Sequence, residues 1–236
     1  MTSISDRVQA IRTGIQQAEQ AAGRLAGSVY LLAVSKTKPA DAIREAFAAG
    51  QQRFGENYVQ EALEKITALG DLPLEWHFIG PIQSNKTRPI AEHFHWVHGI
   101  DRLKIAQRLN DARPADLPPL NVCIEVNVSG EASKEGISPD EVMALAQAIA
   151  ALPRLKLRGL MTIPAPTHDT ALQHQQFSML RILLESLNQQ GFALDTLSMG
   201  MSDDFPAAIA EGATIVRVGT AIFGARPTKH TTEGQS

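Results

Sequence analysis

Lys36 closes the apolar run Leu31-Leu32-Ala33-Val34-Ser35-Lys36, which puts a primary amine at the tip of a strand that reads as buried. Burying an unpaired ammonium is costly, so such a lysine snorkels to water, finds a partner, or is used for its lone pair. Partial burial and a nearby cation lower an amine pKa and suit it to attack a carbonyl, giving a Schiff base with a ligand aldehyde. Lys38 is the candidate cation. The plainer alternative is a surface lysine that ends a strand.

Two later segments could hold an anion. Ser198-Met199-Gly200-Met201-Ser202-Asp203-Asp204 precedes a short helical stretch, where free backbone N–H groups and the helix dipole suit a phosphate. Gly219 allows close backbone approach and Thr220 adds a hydroxyl. Ser202 as a simple helix cap, with Asp203 and Asp204 favouring the N-terminus, explains the first segment without a ligand. Arg217 lies inside the last apolar run, where alternation groups Ile215, Arg217 and Gly219 on one face. Beside a pyridine-type nitrogen its guanidinium would donate a hydrogen bond and oppose protonation, because its own pKa exceeds about 12. An inward arginine paired with a carboxylate such as Glu125 is the alternative. His93, His95 and His98 do not have the spacing of a zinc site, and no metal is expected.

These residues need a scaffold that brings them together. Ile4, Val8, Ile11, Ile15, Ala18, Ala22 and Leu25 recur at helical spacing and predict a long N-terminal helix. Eight short apolar runs follow, at 29–35, 53–55, 75–79, 96–100, 120–128, 156–163, 196–199 and 214–223. Helical patterns separate nearly all of them, at 41–49, 59–69, 102–110, 139–151 and 172–190. Strict alternation of strand and helix reads as a parallel sheet, and eight units close a (β/α)8 TIM barrel. A doubly wound open sheet is the alternative, but the turn after the first strand reads Ser35-Lys36-Thr37-Lys38-Pro39 and not Gly-x-Gly-x-x-Gly. In a barrel, ligands meet the C-terminal ends of strands, so Lys36, Glu56, Asn57, His77, Asp101, Asn127, Met161, Thr162 and the two anion-suited segments would share one mouth.

The length of 236 residues fits one such domain across 1–236, with a polar tail at 227–236 expected to fray. A net charge of -3 argues against a general nucleic-acid or membrane-surface binder. Cys123 is the sole cysteine, so no internal disulfide can form. The first residues lack a signal-peptide pattern and no stretch approaches about 18 apolar residues, so a soluble cytoplasmic protein is expected.

Taken together, Ala33-Val34-Ser35-Lys36-Thr37-Lys38, Phe54-Gly55-Glu56-Asn57-Tyr58, Trp76-His77-Phe78-Ile79-Gly80, Gln83-Ser84-Asn85-Lys86, Arg158-Gly159-Leu160-Met161, Ser198-Met199-Gly200-Met201-Ser202-Asp203 and Arg217-Val218-Gly219-Thr220 resemble the pyridoxal phosphate homeostasis protein family. The resemblance runs from the N-terminal helix to Arg226 and implies a barrel like the N-terminal domain of alanine racemase. It implies pyridoxal 5'-phosphate (PLP) as cofactor, with Lys36 as the Schiff-base lysine and Arg217 facing the pyridine nitrogen. Ser198, Ser202, Gly219 and Thr220, with backbone amides near Met201, would hold the phosphate, and Asn57, His77 and Met161 would line the ring pocket. A racemase of this fold takes a second base, a tyrosine, from an additional domain of a partner subunit, and the only tyrosines here are Tyr30 and Tyr58. The expected function is therefore a non-catalytic, monomeric PLP carrier in vitamin B6 and amino-acid homeostasis, with apo-PLP enzymes and free amino acids as partners. The alternatives are an amino-acid racemase using Lys36 with Tyr58 or His77, and a barrel enzyme for a phosphorylated sugar.

Overall fold

The computed structural model describes residues 2–131 and 134–225, so the segment 227–236 expected to fray lies outside the described residues. A capping box between Ser3 and Asp6 starts helix α1 (Ile4–Ala21), which buries Ile4, Val8 and Ile15. The next segments are β1 (Tyr30–Val34), α2 (Ala40–Ala48), β2 (Arg53–Glu56), α3 (Val59–Ala68), β3 (Glu75–Phe78), α4 (Thr87–His93), β4 (Trp96–Ile100) and α5 (Leu103–Ala112). The order continues with β5 (Leu120–Glu125), α6 (Val142–Ala150), β6 (Leu155–Met161), α7 (Thr170–Gln189), β7 (Thr196–Ser198), α8 (Phe205–Ala210), β8 (Ile215–Val218) and α9 (Thr220–Phe223). All eight strands are parallel and close in chain order, with β1 hydrogen-bonded to both β2 and β8. This is the predicted (β/α)8 barrel with its extra N-terminal helix, α1, packed against α2, α8 and α9.

Strand alternation divides the core into two shells. Outward residues such as Phe54, Phe78, Val97, Leu160, Val216 and Val218 pack against helix residues Ile43, Ile90, Ile105, Leu109, Phe177 and Leu180. Inside the barrel, Leu32, Ile79 and Ile215 form one small cluster and Trp96, Cys123 and Met161 another. Between these apolar patches lie buried His77, His98, Ser198, Glu125 and Arg217, a polar filling in a space that barrels of this class mostly pack with branched aliphatics. The run at 214–223 is not one strand: β8 ends at Val218, and after Gly219 the chain coils into α9. Among the described residues no helix is long and apolar enough to cross a membrane.

Candidate functional site

A cavity of about 480 Å³ opens at the C-terminal ends of the strands. Lys36, Asn57, Met201, Ser202, Arg217, Gly219 and Thr220 line it, so residues scattered from 36 to 220 meet where the sequence pattern placed them. Ile163, which was not singled out, and Asp203 of the first anion-suited segment also line it.

Lys36 sits half-buried in the turn that leaves β1. The following residue, Thr37, has φ 63°, a left-handed conformation that a β-branched side chain adopts only under constraint. The constraint comes from below. The Thr37 N–H donates to Glu61 Oε1 at 2.6 Å, and Lys65 Nζ donates to the Ser35 carbonyl at 2.7 Å, to Glu56 Oε1 at 2.7 Å and to Glu61 Oε1 at 2.5 Å. The Ser35 hydroxyl adds a bond to Glu56 Oε1 at 2.6 Å. Three acceptors thus use the three protons of the Lys65 ammonium, and one buried cation fixes both flanks of the Lys36 turn. Burial pushes the Glu56 carboxyl above its ordinary range while Lys65 pulls it back. Sequence reasoning passed over Lys65, because on the face of α3 it sits among Ala62, Ile66 and Leu69. Lys38 ties the same turn to the far end of the chain, donating to the carbonyls of Phe223, Gly224 and Ala225 at 3.1, 3.0 and 3.0 Å.

On the opposite wall Arg217 points inward, as alternation required, and only 4% of it is exposed. Its partner is not Glu125. Nη1 donates to the Ser198 carbonyl at 2.6 Å and to Ser198 Oγ at 2.7 Å, and Nη2 to the Thr162 carbonyl at 2.8 Å, while Glu125 acts through space. Burial lowers the guanidinium pKa to about 10, which leaves it charged at neutral pH. These bonds use three of the five N–H donors of an arginine that also faces the cavity.

The loop between β7 and α8 bends at Gly200, whose φ is 93° and where a Cβ would approach that of Ala208 to 2.6 Å. The Met201 N–H is already engaged, donating to Asp204 Oδ1 at 2.5 Å. The N–H groups of Ser202, Asp203 and Gly219 reach no protein acceptor among the described residues. Across the cavity, Asn57 Oδ1 is buried and has no hydrogen-bond partner among the described residues. Gly80 holds the Asn57 backbone close, since a Cβ there would lie 2.6 Å from the Asn57 carbonyl oxygen. Unmatched acceptor and donors around one cavity are the signature of a site completed by a polar ligand.

His77, Met161 and Ser198 are placed differently from the expectation, outside the mouth lining. Met161 is buried in the inner cluster with Trp96 and Cys123. Ser198 lies beneath Arg217, and the His77 ring stacks on Trp96 with centroids 5.4 Å apart and opens toward a second cavity at the base of the barrel. Two-residue alternation brings all three side chains inside, but depth along the barrel axis follows from strand stagger, which a single sequence does not display. His95 Nδ1 accepts the Trp76 N–H and His98 is buried in the barrel. Among the described residues no group of three His, Cys, Asp or Glu could hold a metal ion. Burial raises the Cys123 thiol to about 12, so it is a packing residue and not a nucleophile.

The fold places the molecule in the alanine racemase N-terminal domain class, whose family model matches residues 7–227. An alanine racemase from Corynebacterium glutamicum shares the fold, with a TM-score of 0.67 at 20% identity over 94% of this chain and 62% of its own. Within that class, the chain belongs to the pyridoxal phosphate homeostasis protein family. The relative of that name from Pseudomonas aeruginosa is 65% identical over 226 residues, covering 96% of this chain and 97% of its own. That from Escherichia coli K12 is 56% identical, covering 96% and 98%. PipY of Synechococcus elongatus, solved with PLP bound, superposes with a TM-score of 0.82 at 40% identity, covering 94% of this chain and all of its own.

Proposed function

We propose that the mouth cavity holds PLP as a Schiff base on Lys36, and that the chain stores and hands on the cofactor as a cytoplasmic monomer in vitamin B6 and amino-acid homeostasis. The observation that carries this is the meeting of Lys36, the partnerless Asn57 Oδ1 and the unengaged amides of Ser202, Asp203 and Gly219 around one cavity. The PLP-bound state of PipY, 40% identical over the same barrel, supports it. Ser202, Gly219 and Thr220 would take the phosphate with those amides, Arg217 the pyridine nitrogen, and Asn57 a polar ring substituent. Ser198 then serves Arg217 rather than the phosphate, and Met161 and His77 stand behind the pocket. Bound PLP supplies an aldehyde carbon and an electron-withdrawing ring. Arg217, charged and fixed, keeps a proton off the ring nitrogen and so weakens that electron withdrawal.

A racemase needs a second base opposite the lysine. Tyr30 is 48% exposed near the base of the barrel and Tyr58 is 52% exposed, and neither lines the mouth cavity. Release fits the open mouth better: an incoming amine can displace Lys36 from the cofactor carbon. The test is incubation of PLP-loaded protein with L-alanine in deuterated water, beside an assay of PLP delivery to an apoenzyme. Delivery without α-proton exchange is the expected result, and exchange at an ordinary enzymatic rate would convert the reading to a racemase.

A further inference from the structure

Beneath Arg217 a line of buried polar side chains runs down the barrel interior. Ser198 Oγ lies 2.8 Å from His98 Nδ1, His98 Nε2 lies 2.9 Å from His77 Nδ1, and His77 Nε2 lies 2.8 Å from Glu75 Oε1. Ser198 and His98 have no exposure and His77 has 1%, whereas the Glu75 side chain is 37% exposed. Glu75 faces a cavity of about 450 Å³ at the base, where Arg53 Nε donates to it at 3.2 Å. One continuous hydrogen-bonded path thus joins the mouth cavity to the opposite end of the molecule.

Proton counting gives the path a direction. Arg217 has only donors, so Ser198 Oγ accepts from it and gives its single proton to His98 Nδ1. The neutral His98 ring therefore carries its proton on Nε2 and donates to His77 Nδ1, which leaves the His77 proton on Nε2 for Glu75. With both rings neutral and Glu75 ionised, no other arrangement avoids a pair of facing lone pairs or facing protons. The charged or titrating groups around the two rings are Glu75 and Arg53 at the base, His95 at the side and Arg217 above. Burial lowers the pKa of both rings, His98 well below its ordinary value, and the His77 hydrogen bond holds the Glu75 carboxyl down at about 2.

We propose that Ser198, His98 and His77 are positioning residues that orient Arg217 and tie it to Glu75, so that a ligand at the mouth senses the charge state of the basal face. The cation at one end and the carboxylate at the other polarise the neutral groups between them, and each donor strengthens the next. Only the ligand part of this inference rests on the PLP reading above.

The experiment uses ¹⁵N NMR of the full chain without added ligand, then with PLP, in the wild type and in Glu75→Gln, which keeps shape while removing charge. Both rings should show the neutral Nε2–H tautomer at pH 7, and Glu75→Gln should move the Arg217 guanidinium signals. An Nδ1–H or doubly protonated ring, or an Arg217 signal that stays put, overturns the relay. With PLP bound, Glu75→Gln should shift the midpoint of the pH-dependent absorbance change by about half a unit, the scale of one charge acting through the barrel. An unshifted midpoint overturns the link to the ligand. If the wild type gives no PLP-derived band while the NMR results hold, the PLP reading fails and the relay stands.

Discussion

The two ends of the barrel hold cavities of nearly equal size, about 480 Å³ at the mouth and about 450 Å³ at the base, yet they differ in chemical state. At the base, charges meet partners: Arg53 pairs with Glu75, and Arg158 pairs with Asp195 at 2.7 Å while its guanidinium lies 4.7 Å from the Trp96 ring. At the mouth, Asn57 Oδ1 and the amides of Ser202, Asp203 and Gly219 are left without protein partners among the described residues. Volume does not separate a ligand site from an end whose charges are already paired. Unmet hydrogen-bonding capacity does: a buried polar group left unpaired, as Asn57 Oδ1 is, costs about 1 to 3 kcal/mol that a ligand can return.

The same contrast extends to the supports beneath each end, and substitutions can break it. The largest effect should come from Lys65→Met. Lys65 and Glu56 form a pair 2.7 Å apart with side-chain exposures of 6% and 0%, so removing the cation strands a buried carboxylate. A loss of about 3 to 5 kcal/mol is expected in urea unfolding. Arg158→Ala at the base, where Asp195 is 58% exposed, should cost less than about 1 kcal/mol by the same measurement. Equal losses would mean that the two ends are built alike.

A second effect depends on pH. Burial, then Glu135, raises the Glu125 carboxyl from 4.5 to about 7. The fold therefore favours the protonated form, and the stability that this form contributes is full below about 4.5 and is lost as pH rises through about 7. Glu125→Gln keeps the shape without the charge. It should match the wild type near pH 4 and exceed it at pH 8 by on the order of 2 kcal/mol, read from denaturant midpoints. A benefit greater at pH 4 than at pH 8 would reverse the sign and refute the burial argument.

The smallest effect sharpens the mouth itself. Thr220→Val removes a hydroxyl from the cavity wall and should weaken PLP binding about tenfold, measured by fluorescence titration, with stability unchanged. Unchanged affinity would remove Thr220 from the phosphate site.

The barrel was readable because the strands announced themselves as short apolar runs with helical patterns between nearly all of them, though not at the short α4 and α8, and Lys36 because an amine at the tip of such a run demands a reason. The facing direction of Arg217 followed from period-two alternation within β8. Its partner did not: Ser198 and Thr162, not Glu125, receive its protons, since strand stagger decides which inward residues share a level. His77 was assigned to the mouth for the same want of axial depth. Lys65 was hidden because its value lies in three acceptors on two other segments and its own helix, none of which the local pattern of α3 reveals.

The Schiff base at the mouth is tested most directly by borohydride reduction of the PLP-loaded protein, followed by proteolysis and peptide mass analysis. A single pyridoxyl adduct on Lys36, absent from Lys36→Ala, is the result required. An adduct on another lysine with Lys36 unmodified, or one that survives Lys36→Ala unchanged, would contradict it.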